Sequence, residues 1–263
     1  MKAVIPAAGL GSRFLPATKA QPKEMLAIVD KPAIQYIVEE ALDAGADEVV
    51  VVNSHDKKSI ESQFSPSPEL VAMLRERGKD SYADAVEAAG NLPVSYVYQE
   101  EPLGLGHSVL QAAPKTGDDM FMVMLGDVLV PDNTICPAMA TISAAHGNAS
   151  VIAVVPVPDD QVSRFGIVGC VEEPDGALRI IKMVEKPSLE EAPSHLAIFG
   201  RYLLSPKVME LLQTENVYAY VIDPAEGFDT GTVASWIEAN VALAMRDPKL
   251  AAHLKETVGP LFA

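Results

Sequence analysis

Four short stretches carry residue types able to handle phosphate. The first is Ala7-Ala8-Gly9-Leu10-Gly11-Ser12-Arg13, directly after an apolar run. Glycines let the backbone turn tightly and bring its N–H groups close to an anion. The spacing is not a dinucleotide fingerprint, because Phe14 stands where a third glycine is needed, and no Walker-type loop occurs. Taken alone, the glycines serve equally as a tight turn or a phosphate cradle. Arg13, Lys19, Lys23 and Lys31 follow closely, in a chain with 20 Lys+Arg against 36 Asp+Glu and a formal net charge of −16. Cations gathered beside a glycine turn in so acidic a chain point to a polyphosphate, which Arg grips in a fork and Lys as a point charge.

The second stretch is Leu125-Gly126-Asp127, a carboxylate at the end of the apolar run MFMVML. Hard oxygen donors suit Mg²⁺, which uses one or two carboxylates and completes its shell with substrate phosphates. Asp229, in Phe228-Asp229-Thr230-Gly231-Thr232, is the best second ligand, although a turn or cap role suits it locally. The third is Val184-Glu185-Lys186-Pro187: Lys186 is suited to a phosphomonoester and Glu185 to sugar hydroxyls, although the two also read as a solvated pair. The fourth is Gln99-Glu100-Glu101-Pro102-Leu103-Gly104. Gln99 offers a donor and an acceptor to a base edge, and Gly104 lets a flat base approach the backbone. The five histidines have no zinc spacing, and no Ser-His-Asp set stands out.

The elements that position these residues alternate. Lys2 to Pro6 predicts a buried strand, and a long loop carries the chain to Asp30. A helix follows with Asp30 near its N-cap, Pro32 in its first turn, Gly45 past its end, and Ile34, Ile37, Val38, Ala41 and Leu42 on one face. Further strands are expected at Glu48–Val52, Val94–Tyr98, Met120–Leu125 and Ala149–Pro156, with a mostly helical, charged excursion from Ile60 to about Asn91. From Gly166, Pro174-Asp175-Gly176 marks a hairpin. Strands at His195–Leu204 and Val217–Ile222 and helices from Val233 and about Pro248 complete the pattern. Alternating strands and helices predict an α/β fold with a parallel sheet covered on both faces. Ligands then bind outside the carboxyl ends of the strands, which puts Ala7–Arg13 and Gly126-Asp127 on one rim.

Composition narrows the class. The chain has 263 residues, 49% of them hydrophobic and 21% charged, enough to bury a core. It reads as one domain over 1–263, with a nucleotide-binding half at 1–160, a sugar-phosphate half at 161–232 and C-terminal helices at 233–263. The acidity argues against nucleic-acid or anionic-membrane binding. No apolar run reaches membrane-spanning length, no signal-peptide pattern opens the chain, and only Cys136 and Cys170 occur, so the cytoplasm is the expected compartment.

These motifs resemble the bacterial UTP–glucose-1-phosphate uridylyltransferases. AAGLGSRFLPATKAQPKEML and DKPAIQYIVEEA carry the resemblance, and QEEPLGLGHSVL, LGDVL, RFGIVG, VEKP and GRYLL follow in the family's order. The resemblance implies a mixed, mainly parallel nucleotidyltransferase sheet with a small β-hairpin region. It implies uridine-binding positions at Ala8, Gly9, Gln99 and Gly104, with Ala7 and Gly11 in the same loop. Arg13 and Lys23 become UTP phosphate contacts, Asp127 and Asp229 Mg²⁺ ligands, and Gly166, Glu185, Lys186 and Gly200 the glucose-1-phosphate pocket. The implied partners are UTP, glucose 1-phosphate, UDP-glucose and pyrophosphate, in a homodimer or homotetramer, with Arg13, Lys23 and Lys186 catalytic. His195 replaces an asparagine common in the family, and the family's glycine-rich segment is missing between Thr214 and Glu215. Alternatives on the same residues are a thymidylyltransferase and a non-catalytic nucleotide-sugar-binding paralogue. The intact Gly11-Ser12-Arg13-Phe14 disfavours the paralogue, and Phe14 disfavours a NAD-dependent oxidoreductase.

Overall fold

A computed structural model describes residues 1–209 and 217–259. Nine strands form one sheet: β1 (Lys2–Pro6), β2 (Glu48–Asn53), β3 (Val94–Tyr98), β4 (Phe121–Met124), β5 (Ser150–Pro156), β6 (Gly166–Glu172), β7 (Leu178–Glu185), β8 (Leu196–Leu204) and β9 (Val217–Val221). Their order is β3-β2-β1-β4-β8-β5-β9-β7-β6, with β8 also pairing β6. Pairs β1/β2, β1/β4, β2/β3 and β5/β9 are parallel. Strand β8 runs antiparallel to β4, β5 and β6, and the hairpin of β6 and β7 is antiparallel.

Successive residues of the first strands bury both faces. Ala3 and Ile5 join one hydrophobic cluster with Val49 and Val51, while Val4, Val50 and Val52 join another on the opposite face. Helices α1 (Ala33–Asp43) and α7 (Ile135–Ala145) cover the first face and α5 (Leu105–Gln111) the second. In α1 the stripe of Ile34, Ile37, Val38 and Ala41 is fully buried, and Gly45 past its end has φ +93°. The charged excursion folds as α2 (Lys58–Gln63), α3 (Pro68–Glu76) and α4 (Asp80–Gly90), the last two packed on each other. The short α6 (Ala113–Thr116) follows α5, and α8 (Val233–Ala244) and α9 (Pro248–Thr257) end the described chain.

Two local expectations are corrected. Asp30 does not cap α1, which begins at Ala33 with Pro32 as its N-cap. Residues Lys31–Pro32 instead pair with Ala27–Ile28 in a two-stranded ribbon, which places Asp30 in its turn. Asp229 is not a helix cap either: Thr232 caps α8, accepting from the Ser235 N–H. The missing family segment falls at residues 210–216, outside the described residues.

One buried charge pair ties the sheet to α1. Arg201 of β8 is fully buried and donates to both carboxylate oxygens of Glu40, Nε at 2.8 Å and Nη2 at 2.6 Å. The same guanidinium donates to the carbonyls of Val128 and Gly200, at 2.8 and 3.1 Å. Breaking such a pair strands a charge in the core and costs about 3–5 kcal/mol. Glu40→Ala is therefore expected to lower the unfolding free energy by roughly that amount in a denaturant titration; a loss below about 1 kcal/mol would show the pair to be dispensable.

Candidate active site

The rim of the sheet is built by the loop after β1. The Ala7 N–H donates to the Val52 carbonyl at 2.8 Å, so the loop leaves the sheet under control. Gly11 has φ +61°, a left-handed conformation that glycine adopts without a Cβ clash. Thr18 Oγ1 donates to its carbonyl at 2.8 Å. Three single 3₁₀ turns, Ser12–Phe14, Ala17–Lys19 and Lys23–Met25, then fold the loop back on itself. The return brings Lys23 to Asp127, its Nζ 2.7 Å from Oδ2.

Asp127 follows β4, and a second ribbon brings Asp229 beside it. Phe228–Asp229 pairs antiparallel with Val128–Leu129, in the register Asp229 to Val128. Thr230 reinforces the ribbon, donating to the Asp127 carbonyl from N at 2.6 Å and from Oγ1 at 2.9 Å. The point where a Cβ on Gly231 would sit is 2.8 Å from Asp229 Oδ1 and 3.4 Å from both Asp127 Oδ2 and Arg13 Nη1. Three charged side chains far apart in sequence thus face one small space. Burial pushes the Asp229 carboxyl above its ordinary range and the Asp127 charge adds to this, while the Gly231 N–H, Arg13 and Arg164 oppose it. Among the described residues no cluster of three or more His, Cys, Asp or Glu could hold a metal alone. These two aspartates are the candidate donors.

To one side lies a cavity of about 260 Å³ lined by Ala8, Gly9, Lys23, Gln99, Gly104 and Ser108, among others. Gly104 has φ +97° at the start of α5. Gln99 is held by its Nε2, 3.3 Å from the Gly104 carbonyl and 2.9 Å from His107 Nδ1.

To the other side, Gly166 and Glu185 are register partners across β6 and β7. A Cβ on Gly166 would meet Glu185 Oε2 and Ile198 Cδ1, each at 3.1 Å. Lys186 stands at φ +47°, its N–H bound to the Phe165 carbonyl at 3.0 Å and its Nζ 3.1 Å from Glu185 Oε1. A left-handed lysine is a strained backbone, of the kind that concentrates at functional sites. The Tyr202 phenol is pushed up to about 12, by burial first and then by the carboxylates of Glu185 and Asp127. One side chain therefore feels both the hairpin and the aspartate cluster. Gly200, at φ +73°, packs against the Asp127 turn, where a Cβ would meet Val128 Cγ2 at 3.0 Å and Leu125 Cδ1 at 3.1 Å. His195 lies on the exposed edge, its Nε2 3.0 Å from Asp159 Oδ1.

With this geometry in view, known proteins are informative. Residues 2–220 match the family model described as nucleotidyl transferase. A UTP–glucose-1-phosphate uridylyltransferase of Staphylococcus haemolyticus (strain JCSC1435) is 39% identical over 95% of this chain and 94% of its own. The UTP-bound UGPase from Acinetobacter baumannii superimposes with a TM-score of 0.89 at 36% identity, over 98% of each chain. A UDP-glucose pyrophosphorylase complexed with UDP-glucose gives 0.81 at 32% identity, over 94% of this chain and 99% of that one. The chain belongs to the UTP–glucose-1-phosphate uridylyltransferase family.

Within that family's fold, four charged residues matter to the site whose roles sequence reasoning did not single out. Lys57, in the run Asp56-Lys57-Lys58, looks like a surface charge but is buried beneath the glycine loop. Glu24 is buried beside it, its carboxyl pushed up by burial against the pull of Lys57 and Lys23. Arg201 lies inside the motif GRYLL and Arg164 inside RFGIVG, so their positions were legible but their partners were not.

Gly231 offers a test of the cluster that removes no charge. A methyl there would push on the Asp229 carboxylate from 2.8 Å. Gly231→Ala is expected to keep its circular dichroism and lose roughly 10²-fold in turnover, as misplacement of about an ångström can cost. A folded variant with wild-type turnover would mean the convergence is idle.

Proposed function

We propose that this protein transfers the uridylyl group of UTP to α-D-glucose 1-phosphate, releasing pyrophosphate. The observation that carries the reading is the convergence of Arg13, Asp127 and Asp229 on one space, with Lys23 bridging it to the cavity at Ala8, Gly9 and Gln99. The relatives' names and bound ligands support the choice of nucleotide and sugar.

The cavity takes the uridine, with Gln99 and the backbone at Gly104 toward the base. Arg13 and Lys23 take the triphosphate, Lys186 takes the phosphate of glucose 1-phosphate, and Glu185 takes its sugar hydroxyls. A phosphate oxygen of glucose 1-phosphate attacks the α-phosphorus in line. The new P–O bond forms as the bond to the pyrophosphate oxygen breaks and its electron pair leaves with pyrophosphate. The attacking oxygen is already anionic near neutral pH, so no general base is required. The barrier is the approach of two anions and the charge on the leaving group, so positioning and fixed positive charge carry catalysis.

Two carboxylates facing one space fit Mg²⁺, whose remaining ligands come from substrate phosphates and water. Held by Asp127 and Asp229, Mg²⁺ would supply positive charge against the phosphates. Lys23, which pairs with Asp127 at 2.7 Å, would be the cation offered to a phosphate oxygen of UTP.

One sheet runs through both halves of the chain, which supports reading it as a single domain. On α8, Val233, Ile237 and Val241 are each about half exposed at four-residue spacing, an apolar stripe that a second copy would cover in a homo-oligomer. Among the described residues no helix is long and apolar enough to cross a membrane. This is compatible with the cytoplasmic setting that the cysteine usage favours.

The test is pyrophosphate release with UTP, dTTP, ATP and GTP crossed against glucose, galactose and N-acetylglucosamine 1-phosphates. UTP with glucose 1-phosphate is expected to give the highest kcat/KM, and a clear preference for dTTP would make the protein a thymidylyltransferase. Lys186→Ala is expected to lower turnover roughly 10²-fold or more without unfolding. Asp127→Asn is expected to abolish the Mg²⁺-dependent rate and to weaken Mn²⁺ binding measured by paramagnetic resonance in the presence of UTP. Retained Mn²⁺ affinity would remove Asp127 from the metal site.

A further inference from the structure

Lys57 lies one residue before α2, and its side chain is only 10% exposed. Its Nζ donates to the carbonyls of Ala7 and Gly9, each at 2.5 Å, and to Glu24 Oε2 at 3.1 Å. All three hydrogens of the ammonium group are therefore committed. Two of them go to alternate carbonyls of the glycine loop rather than to a counter-ion. The only cis peptide bond among the described residues is Leu15–Pro16, so the Ala7–Ala8 and Gly9–Leu10 bonds are trans. In a planar trans peptide the N–H points opposite to the C=O. Holding the Ala7 and Gly9 carbonyls inward on one ammonium turns the N–H groups of Ala8 and Leu10 away from it. Neither of these N–H groups, nor that of Gly9, has an acceptor among the described residues. Ala8 lines the 260 Å³ cavity, and both Ala8 and Leu10 line the adjoining cavity of about 410 Å³.

We propose that Lys57 is a positioning residue for nucleotide binding, a buried ammonium that aims the Ala8 and Leu10 N–H groups at UTP by holding the carbonyls behind them. Lys57 itself borders the larger cavity, but with its three hydrogens spent on Ala7, Gly9 and Glu24 its ammonium has none left to give the nucleotide. The charge needed to orient the loop is thus placed on its inner side, where it cannot compete with Arg13 and Lys23 for phosphate. Glu24 neutralises that charge, and a Cβ on Gly126 would lie 3.2 Å from Glu24 Cγ, so the clamp also abuts the turn that carries Asp127.

The inference rests on the uridylyltransferase reading, and the test separates the two. Removing Lys57 alone would leave Glu24 buried and unpaired, with its Oε1 already lacking a partner. The informative variant is Lys57→Met combined with Glu24→Gln, which removes both charges and keeps the volume. Calorimetry is expected to show UTP binding roughly tenfold to a hundredfold weaker, the loss of two well-aligned hydrogen bonds. KM for UTP should rise while KM for glucose 1-phosphate stays unchanged, a split that general loss of packing would not produce. Glu24→Gln alone keeps both carbonyl contacts and should fall well short of the double variant's loss. Amide-resolved hydrogen exchange on the wild type should show Ala8 and Leu10 protected by UTP. A folded double variant with wild-type UTP affinity, or an equal loss in Glu24→Gln, overturns the role of Lys57; so, whether or not the double variant folds, does the absence of UTP protection at the wild-type Ala8 and Leu10 amides. A wild-type protein that does not bind UTP at all overturns the reading of the site and this inference with it.

Discussion

Like charges held close together are the constraint around which this molecule is organised. Asp127 and Asp229 face one space in a chain that is already strongly acidic. At such separations in a partly buried site their repulsion is worth kilocalories. Side-chain contacts alone would not hold them. The backbone does, through the ribbon of residues 128–129 with 228–229 and the two bonds from Thr230 to the Asp127 carbonyl. Cations then offset the charge from outside: Lys23 on Asp127, and Arg13 beside both. The loop that supplies these cations is the glycine loop, so the residues suited to a triphosphate also steady the site that would share it with a metal.

Behind the ribbon stands a second, fully buried charge pair. Arg201 grips Glu40 with two bonds and turns its remaining donors to the Val128, Gly200 and Leu125 carbonyls. The turn that carries Asp127 is thereby joined to the centre of the sheet and to α1. Gly200 is part of the same arrangement. Its positive φ falls where the pairing of β8 with β5 is irregular, and the close approach of Leu125 and Val128 leaves no room for a side chain. Whatever it contributes to a sugar pocket, Gly200 shapes the turn beneath the aspartate cluster.

Much of the fold was legible because apolar periodicity is a local signal. The buried strands at 2–6, 48–53 and 150–156 follow from unbroken apolar runs, the hairpin from 166 from its Pro-Asp-Gly turn, and the stripe on α1 from helical spacing. The glycine turn and the strand-end Asp127 were legible for a related reason: they sit at element boundaries on the rim where parallel strands place ligands. The start of α1 departs from the capping pattern because Lys31–Pro32 is claimed by a ribbon partner at Ala27–Ile28, a choice made by pairing rather than by capping chemistry. Asp229 was found, but as a loop residue, since two-residue strands leave no periodic trace.

Composition and motif order were enough to establish an acidic α/β protein with a cationic glycine loop, and which residue types stand ready for phosphate and metal. They could not say which buried charges are partners. Lys57 and Lys58 are adjacent and chemically identical, yet one is locked beneath the loop and the other lies exposed. Glu40 and Arg201 are distant in the chain and meet only because β8 inserts beside β4. Burial and long-range pairing depend on how strands cross over one another. No local run of residues encodes that crossing, so the identities of the clamps around the site came into view only with the assembled sheet.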